Sequence, residues 1–289
     1  MTAPPALPPE WTWRALVSRS LAEDLGAGDV TSTLVIPASQ EGRAVIEARE
    51  PLRVCGLGVA KAVFAAVDPA LRFREEVHDG IDVGAGKPLA TLSGSLRALF
   101  AGERTALNFL GRMCGIASLA RQYVLRLQGT GVQVVDTRKT LPGWRLLDKY
   151  AVAVGGGINH RMGLFDGILL KDNHIAAAGG VFQAVKTARA GAPAHLRVQV
   201  EVESLEQALS AVDAGADFLL LDNRSPAELR TIAERLRARA LLEASGGITL
   251  ENLQEVAASG VHRVSIGALT HSAPSSDLAL ELLPGGVGG

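Results

Sequence analysis

Residues 196–223 read LRVQVEVESLEQALSAVDAGADFLLLDN, an apolar run, an amphipathic segment and a second apolar run. Short runs rich in Val, Ile and Leu, bounded by helical segments, fit strands buried on both faces of a parallel sheet. The same rhythm extends outward in both directions from Gly131 to near the chain end. Six such runs finish near Val135, Leu170, Val202, Leu221, Ala244 and Ile266. Strands alternating with helices predict an α/β architecture. Six units fall short of a closed eight-stranded barrel, so periodicity alone leaves an incomplete barrel and an open doubly wound sheet both standing.

Upstream the pattern differs. Trp13, Leu16, Val17 and Leu21 recur at helical spacing over 11–24 and stop at Gly26, which predicts one opening helix. From 41 to 95, short alternating runs such as 43–48 are broken by Gly56, Gly80, Gly84 and Gly86, which predicts a small sheet with one helix near 57–66. Leu96, Leu99, Phe100, Leu107 and Leu110 then give an apolar helical face over 96–127, with Gly111 and Gly115 marking a place for a break. Glu103 falls inside that stripe and calls for a partner. The expected division is an N-terminal domain over 1–128 and a β/α domain over 129–289, the chain end being free to return to the first. Residues 2–9 and 284–289 are expected to be frayed tails.

Lys plus Arg number 29 against 30 acidic residues among 289, a net charge of −1. No global field draws nucleic acid or an anionic membrane, so any anion must be captured by a local cluster. Cys55 and Cys114 lack the spacing of a zinc or redox pair and are read as buried thiols. No apolar stretch is long enough to span a membrane, and no basic region with an apolar core opens the chain, so a cytoplasmic location is expected.

The charges sit at the ends of the runs. Asp136, Arg138 and Lys139 follow the first, Lys171, Asp172, Asn173 and His174 the second; Glu201 lies in the third, and Asp222 and Asn223 close the fourth. The C-terminal strand edge is where α/β folds bind ligands. Any one such charge is as readily a helix cap or solvated turn, but recurrence at four successive strands strains that reading. Arg138, Lys139, His160, Arg161 and Lys171 suit a multiply charged anion, the guanidinium groups pairing with carboxylates and the lysines acting as point charges. Asp136, Asp148, Asp166 and Asp172 could instead neutralise them structurally.

Glu201 and Asp222, on neighbouring strand ends, suit magnesium, or else salt bridges to those lysines. Ser245-Gly246-Gly247 and Gly267-Ala268 each stand before a segment with helical character, where backbone N–H groups can approach a phosphate; most glycine pairs are only turns. His160 has no companion at metal-ligand spacing and is assigned to hydrogen bonding. No serine or cysteine nucleophile stands out.

These residues resemble the quinolinate phosphoribosyltransferases. The resemblance runs through GDVTS (28–32), GERTALNFL (102–110), DTRKT (136–140), PGWR (142–145), KYAV (149–152), GGGINHRMGLFDGILLKDNHI (155–175), VEVES (200–204), LLLDN (219–223) and EASGGI (243–248). It implies a small α/β sandwich domain followed by an incomplete α/β barrel, and transfer from phosphoribosyl pyrophosphate to quinolinate with decarboxylation. It places Arg104, Arg138, Lys139, His160, Arg161 and Lys171 around quinolinate, with Arg104 supplied by the neighbouring subunit of a homodimer or higher oligomer. It gives Glu201 and Asp222 to magnesium (Mg2+) and the ribose pyrophosphate, and Ser245, Gly246, Gly247 and Gly267 to the 5′-phosphate. Lys139, Lys171, Glu201 and Asp222 are the implied catalytic set. Leu141 and Trp144 depart from the family pattern, which bears on pocket shape. Two rivals remain: a related transferase for another acid, which needs fewer cations, and a non-catalytic sensor of a phosphorylated metabolite, which does not need both carboxylates.

Overall fold

The computed structural model describes residues 4–284 and falls into two compact units. The first takes the chain up to Arg121, residues 140–156 and everything from Leu269 onward; the second takes 122–139 and 157–268. The boundaries therefore do not follow a single cut near residue 128, because the chain passes between the units four times.

In the first unit, residues 4–9 are packed where a frayed tail was expected. A Cβ on Gly58 would stand 2.8 Å from Leu7, one on Gly80 3.0 Å from Pro4, and the Trp13 indole donates to the Pro8 carbonyl at 2.8 Å. The remainder of both expected tails, apart from Pro284, lies outside the described residues. Helix α1 (Arg14–Leu25) ends at Gly26, whose φ of 50° is open to glycine. A short helix the periodicity missed, α2 (Val30–Val35), starts where the Asp29 carboxylate accepts from the Ser32 amide at 2.9 Å. Strands β1 (Glu41–Ala48) and β2 (Leu52–Arg53), helix α3 (Leu57–Val67), and strands β3 (Arg72–Glu75), β4 (Asp82–Val83) and β5 (Pro88–Ser95) follow. In β1, Gly42, Ala44, Ile46 and Ala48 are buried while Glu41 and Arg43 face water, the alternation of a one-sided sheet.

Helix α4 (Leu96–Arg126) runs unbroken through Gly111 and Gly115, so the expected break is absent. These glycines serve close approach instead. The Ser276 amide donates to the Gly111 carbonyl at 2.9 Å, and a Cβ on Gly115 would lie 1.9 Å from the Pro274 carbonyl oxygen. Half-buried Glu103 has its carboxyl pushed up by burial, and Arg104 beside it pulls the other way. Cys55 and Cys114 are buried free thiols, each raised by burial, that of Cys114 to about 12.

Strand β6 (Gln133–Val135) opens the second unit before the chain returns to the first as α5 (Arg145–Val154). There Asp148, fully buried, accepts from Arg112 of α4 at 2.9 and 2.7 Å. Burial raises the Asp148 carboxyl and the guanidinium opposes the rise. Trp144 stacks on Phe109 with centroids 4.6 Å apart, and Arg112 lies over its ring. That family departure is thus a packing residue against α4, and Leu141 is exposed in the same unit.

The second unit continues with β7 (Ile168–Leu170), α6 (Asp172–Ala177), α7 (Val181–Gly191), β8 (Val198–Val202), α8 (Leu205–Asp213), β9 (Phe218–Asp222), α9 (Pro226–Leu236), β10 (Leu241–Ser245), α10 (Leu253–Ala258) and β11 (Arg263–Ser265). The six parallel strands are ordered β6-β11-β10-β9-β8-β7, one for each apolar run. From β7 to β11 every strand joins its predecessor on the same side, and the last lands beside β6. No reversal of order occurs, which removes the doubly wound sheet; this is singly wound, barrel-like topology with its opening between β6 and β7. Among the described residues, the isolated bridge Val135↔Ile158 extends the β6 edge.

The chain then returns to the first unit. After α11 (Ala268–His271), strand β12 (Leu278–Leu282) pairs antiparallel with β1 and completes the sheet β12-β1-β5-β3.

The passage of 274–276 over α4 generates a prediction. Gly115→Ala forces a methyl into a backbone carbonyl with no flexible side chain to yield, so stability should fall by about 1–3 kcal/mol. Urea unfolding of the variant measures this; an unchanged midpoint would show that the 274–276 segment moves freely.

Candidate active site

The C-terminal ends of the second unit's strands surround a cleft of about 230 Å³. Arg138 and Lys139 enter from the loop after β6, His160 and Arg161 from the segment beside its open edge, and Lys171 from the end of β7. Glu201 lies in β8, Asp222 ends β9 and Ser245 ends β10. Eight of the residues singled out in the sequence thus line one cavity contributed by a single unit. Leu169 and Leu220 supply its apolar wall, a surface suited to a flat ring. A larger depression of about 540 Å³ lies at the opposite strand ends, where Asp217 pairs with Arg189 and Arg197. None of the charged residues singled out at the run ends lines that depression, and Asp217 there is taken up by its arginine pairs.

Two features of the cleft's charge stand out. Burial and the neighbouring Arg138 both lower the pKa of Arg161, with Asp166 opposing them. Two guanidinium groups that repel one another in a half-desolvated cavity are relieved by an anion. Lys171 Nζ meets Glu201 Oε2 at 2.9 Å, so the salt bridge weighed as an alternative for Glu201 is present. The lysine is half-exposed, and an exposed pair of this kind holds weakly.

Asp222 is positioned by its neighbour. Asn223 has φ 52°, the sole non-glycine residue in the left-handed region among the described residues. Its amide donates to Asp222 Oδ2 at 2.8 Å, and its backbone N–H to the Ser245 carbonyl at 2.8 Å. A Cβ on Gly246 would lie 2.1 Å from Asn223 Oδ1, so glycine is needed for the β9 and β10 ends to meet. Gly246 and Gly247 have φ of 85° and 60°, but α10 starts only at Leu253, so Ser245-Gly246-Gly247 does not abut a helix as expected. Gly267 directly precedes α11. Neither these three glycines nor Arg104 is among the residues lining the cleft; Arg104 is exposed on α4 in the other unit.

Asp136, read as a counter-charge, is fully buried and accepts from the His160 amide at 2.8 Å and from Asn159 Nδ2 at 2.7 Å. The sequence reading missed Gln199 and Glu243. His160 Nε2 lies 2.9 Å from Gln199 Oε1, which agrees with its assignment to hydrogen bonding, and Gln199 Nε2 donates to Glu243 Oε2 at 3.0 Å. Their signal was a polar residue inside an apolar run, Gln199 two residues before Glu201 in VQVEV and Glu243 in LLEA. Among the described residues no three His, Cys, Asp or Glu side chains gather as a metal site. Glu201 and Asp222 therefore form a two-carboxylate set of the kind magnesium accepts when substrate phosphates and water supply the remaining oxygens.

Comparison with known proteins agrees with this arrangement. Residues 29–114 match the N-terminal domain of quinolinate phosphoribosyl transferase and residues 116–281 its C-terminal domain. The chain is 42% identical over 275 residues to the nicotinate-nucleotide pyrophosphorylase [carboxylating] of Mycobacterium leprae, covering 93% of this chain and 96% of that one. It is 35% identical over 298 residues to a quinolinate phosphoribosyltransferase [decarboxylating] of Nicotiana tabacum, covering 96% and 84%. The solved nicotinate-nucleotide pyrophosphorylase of Francisella tularensis superposes with a TM-score of 0.92 at 35% identity, over 98% of this chain and all of that one. With both domains matched in order across most of its length, the chain belongs to the quinolinate phosphoribosyltransferase family.

Proposed function

We propose that this chain transfers the phosphoribosyl group of phosphoribosyl pyrophosphate to quinolinate and releases carbon dioxide, giving nicotinate mononucleotide and pyrophosphate for NAD biosynthesis. The observation that carries this reading is the convergence of Arg138, Lys139, Arg161 and Lys171 on an apolar-walled cleft that also holds the Glu201 and Asp222 carboxylates at its strand ends and Glu243 deeper in its wall. A ring bearing two adjacent carboxylates needs that excess of cations; a nicotinate-type acid would need fewer. A sensor would not need Glu201 and Asp222 together.

In this reading Arg138 and Arg161 pair with the substrate carboxylates while the ring lies against Leu169 and Leu220. The ring nitrogen forms its bond to ribose C1 as the bond from C1 to the pyrophosphate oxygen breaks. Lys139 and Lys171 stabilise the leaving charge, Lys171 exchanging Glu201 for substrate oxygens. The positive charge of the ring nitrogen, now quaternary, stabilises the electron pair left on the adjacent ring carbon when its carboxylate departs as carbon dioxide, and that carbon then takes a proton from water. Glu201 and Asp222 would hold a magnesium ion, whose charge would neutralise the departing pyrophosphate. Ser245 and the glycines at 246, 247 and 267 face the 5′-phosphate. Arg104 completes the pocket of a second subunit in a homodimer, and the enzyme works in the cytoplasm.

The direct test is incubation with magnesium, quinolinate and phosphoribosyl pyrophosphate, followed for carbon dioxide and nicotinate mononucleotide; neither product forming would sink the reading. Arg138→Ala and Arg161→Ala should each weaken quinolinate binding by about 2–5 kcal/mol, with far less effect on phosphoribosyl pyrophosphate. Equal losses for both substrates in titration calorimetry would count against the carboxylate assignment.

Asp222→Asn, and more weakly Glu201→Gln, should raise the magnesium concentration needed for turnover and leave quinolinate affinity nearly unchanged. If neither variant shifts the magnesium dependence, the two acids are salt-bridge partners only.

Mixing inactive Arg104→Ala with inactive Arg138→Ala should restore activity after subunit exchange, to at most about half of wild type per heterodimer, because one pocket is then intact. Exchange confirmed by mass spectrometry without recovered activity would return Arg104 to its own chain.

A further inference from the structure

His160 lines the cleft, yet both of its ring nitrogens face protein groups. Nδ1 lies 2.8 Å from the Arg161 backbone nitrogen, a group that can only donate, so Nδ1 is the acceptor. Nε2 lies 2.9 Å from Gln199 Oε1. Which way that amide points is decided one residue further in. Glu243 is 1% exposed, its carboxylate meets Arg263 Nε at 2.5 Å, and its Oε2 accepts from Gln199 Nε2 at 3.0 Å. A flipped Gln199 would set its carbonyl oxygen against that carboxylate, two acceptors with no proton between them. The remaining buried oxygen, Glu243 Oε1, has no hydrogen bond and stands 3.6 Å from His160 Nε2, a second acceptor on the same side of the ring.

The geometry points to Gln199 and Glu243 as positioning residues that hold the His160 proton on Nε2, so that Nδ1 grips the Arg161 main chain and His160 contributes to the site through Arg161. The segment is held from both ends. Asp136 takes the His160 amide, and beyond Arg161 its Nη1 donates to the Gly167 carbonyl at 3.0 Å. With the main chain of 160 and 161 pinned, the Arg161 guanidinium enters the cleft from a fixed origin despite repulsion from Arg138. In the family-derived reading His160 is itself a substrate ligand; here its ring is committed to the wall.

This inference rests on the proposed function only for the identity of the ligand that Arg161 holds, so its first test needs no turnover. Full-length protein labelled with 15N-histidine, with His160 identified through the His160→Gln spectrum, should show a protonated Nε2 and an unprotonated Nδ1 at neutral pH. A proton on Nδ1 would overturn the proposal. The second test is kinetic. Glu243→Gln lets residue 243 donate to Gln199 Oε1, which turns the Gln199 amide hydrogens toward His160 and should move the ring proton to Nδ1. Quinolinate KM should rise about tenfold, with the KM for phosphoribosyl pyrophosphate changed less than about twofold. Adding Gln199→Glu restores an acceptor opposite Nε2 and should recover most of the loss.

Both KM values rising together, or no recovery in the double variant, would reduce the pair to a structural role and overturn the proposal. Should Glu243→Gln fail to fold, Gln199→Leu with the same two KM measurements decides the question. A wild-type protein that forms no nicotinate mononucleotide would defeat the functional reading, and the position of the His160 proton would still decide this one.

Discussion

The open side of the β/α unit depends on one buried carboxylate and the main-chain bonds beside it. The sheet runs in hydrogen-bonded order from β7 round to β6, and β6 and β7 are not paired with each other. Asp136, one residue beyond β6, ties residues 159 and 160 to that edge by accepting from Asn159 and from the His160 amide. Main-chain bonds from Ile158 to the Val134 carbonyl, and from Asp136 to the Ile158 carbonyl, run alongside. Without these contacts residues 158–161 would be an unsupported loop, and two groups of the cleft would have no fixed place. A charge completely removed from water is costly unless it is fully hydrogen-bonded, so this segment and Asp136 depend on each other.

That clamp matters because the cleft it borders works against itself electrostatically. Burial depresses the Arg161 pKa, and repulsion from Arg138 adds to the depression. Lys171 meets an acidic partner from the cleft wall, Glu201, at 2.9 Å. A polyanionic ligand removes the repulsion, competes for Lys171 and releases Glu201 in one event. Binding energy of that kind requires that the cations not relax away from one another before the ligand arrives, and rigid strand ends with pinned main chain meet the requirement better than mobile loops do.

The strands and most of the cleft were readable because each depends on local pattern. Six apolar runs gave six strands, and charges at run ends gave five lining residues, Arg138, Lys139, Lys171, Glu201 and Asp222, since strand direction alone carries those residues to one edge. What escaped depended on partners distant in sequence. Gly111 and Gly115 read as a helix break because nothing nearby reveals that residues 274–276 cross them. The Arg112–Asp148 pair is likewise invisible until α4 and α5 are packed. Periodicity could not separate a singly wound from a doubly wound sheet, because the two differ in strand order and not in the pattern of any strand. The glycine triplet after β10 was found, but its role in meeting Asn223 needed coordinates.

The interior of the β/α unit carries a polar column where such sheets ordinarily pack branched aliphatic side chains. It starts at Arg263, which begins β11 and lies over the Phe218 ring at 4.3 Å, and passes through Glu243 and Gln199 to His160 and Arg161 at the mouth. As a source of stability this is a poor design. The desolvation of Glu243 and Arg263 consumes most of what their attraction returns, and well-packed aliphatic side chains would hold the strands at least as firmly. What an apolar core cannot do is transmit direction. Donor and acceptor must alternate along the column, so a carboxylate fixed by Arg263 at one end dictates the orientation of an amide, then of an imidazole, then of the main chain that bears a cation of the cleft. The column makes physical sense as a device for orientation, and its cost falls on the part of the fold where orientation of charge is what the cleft requires.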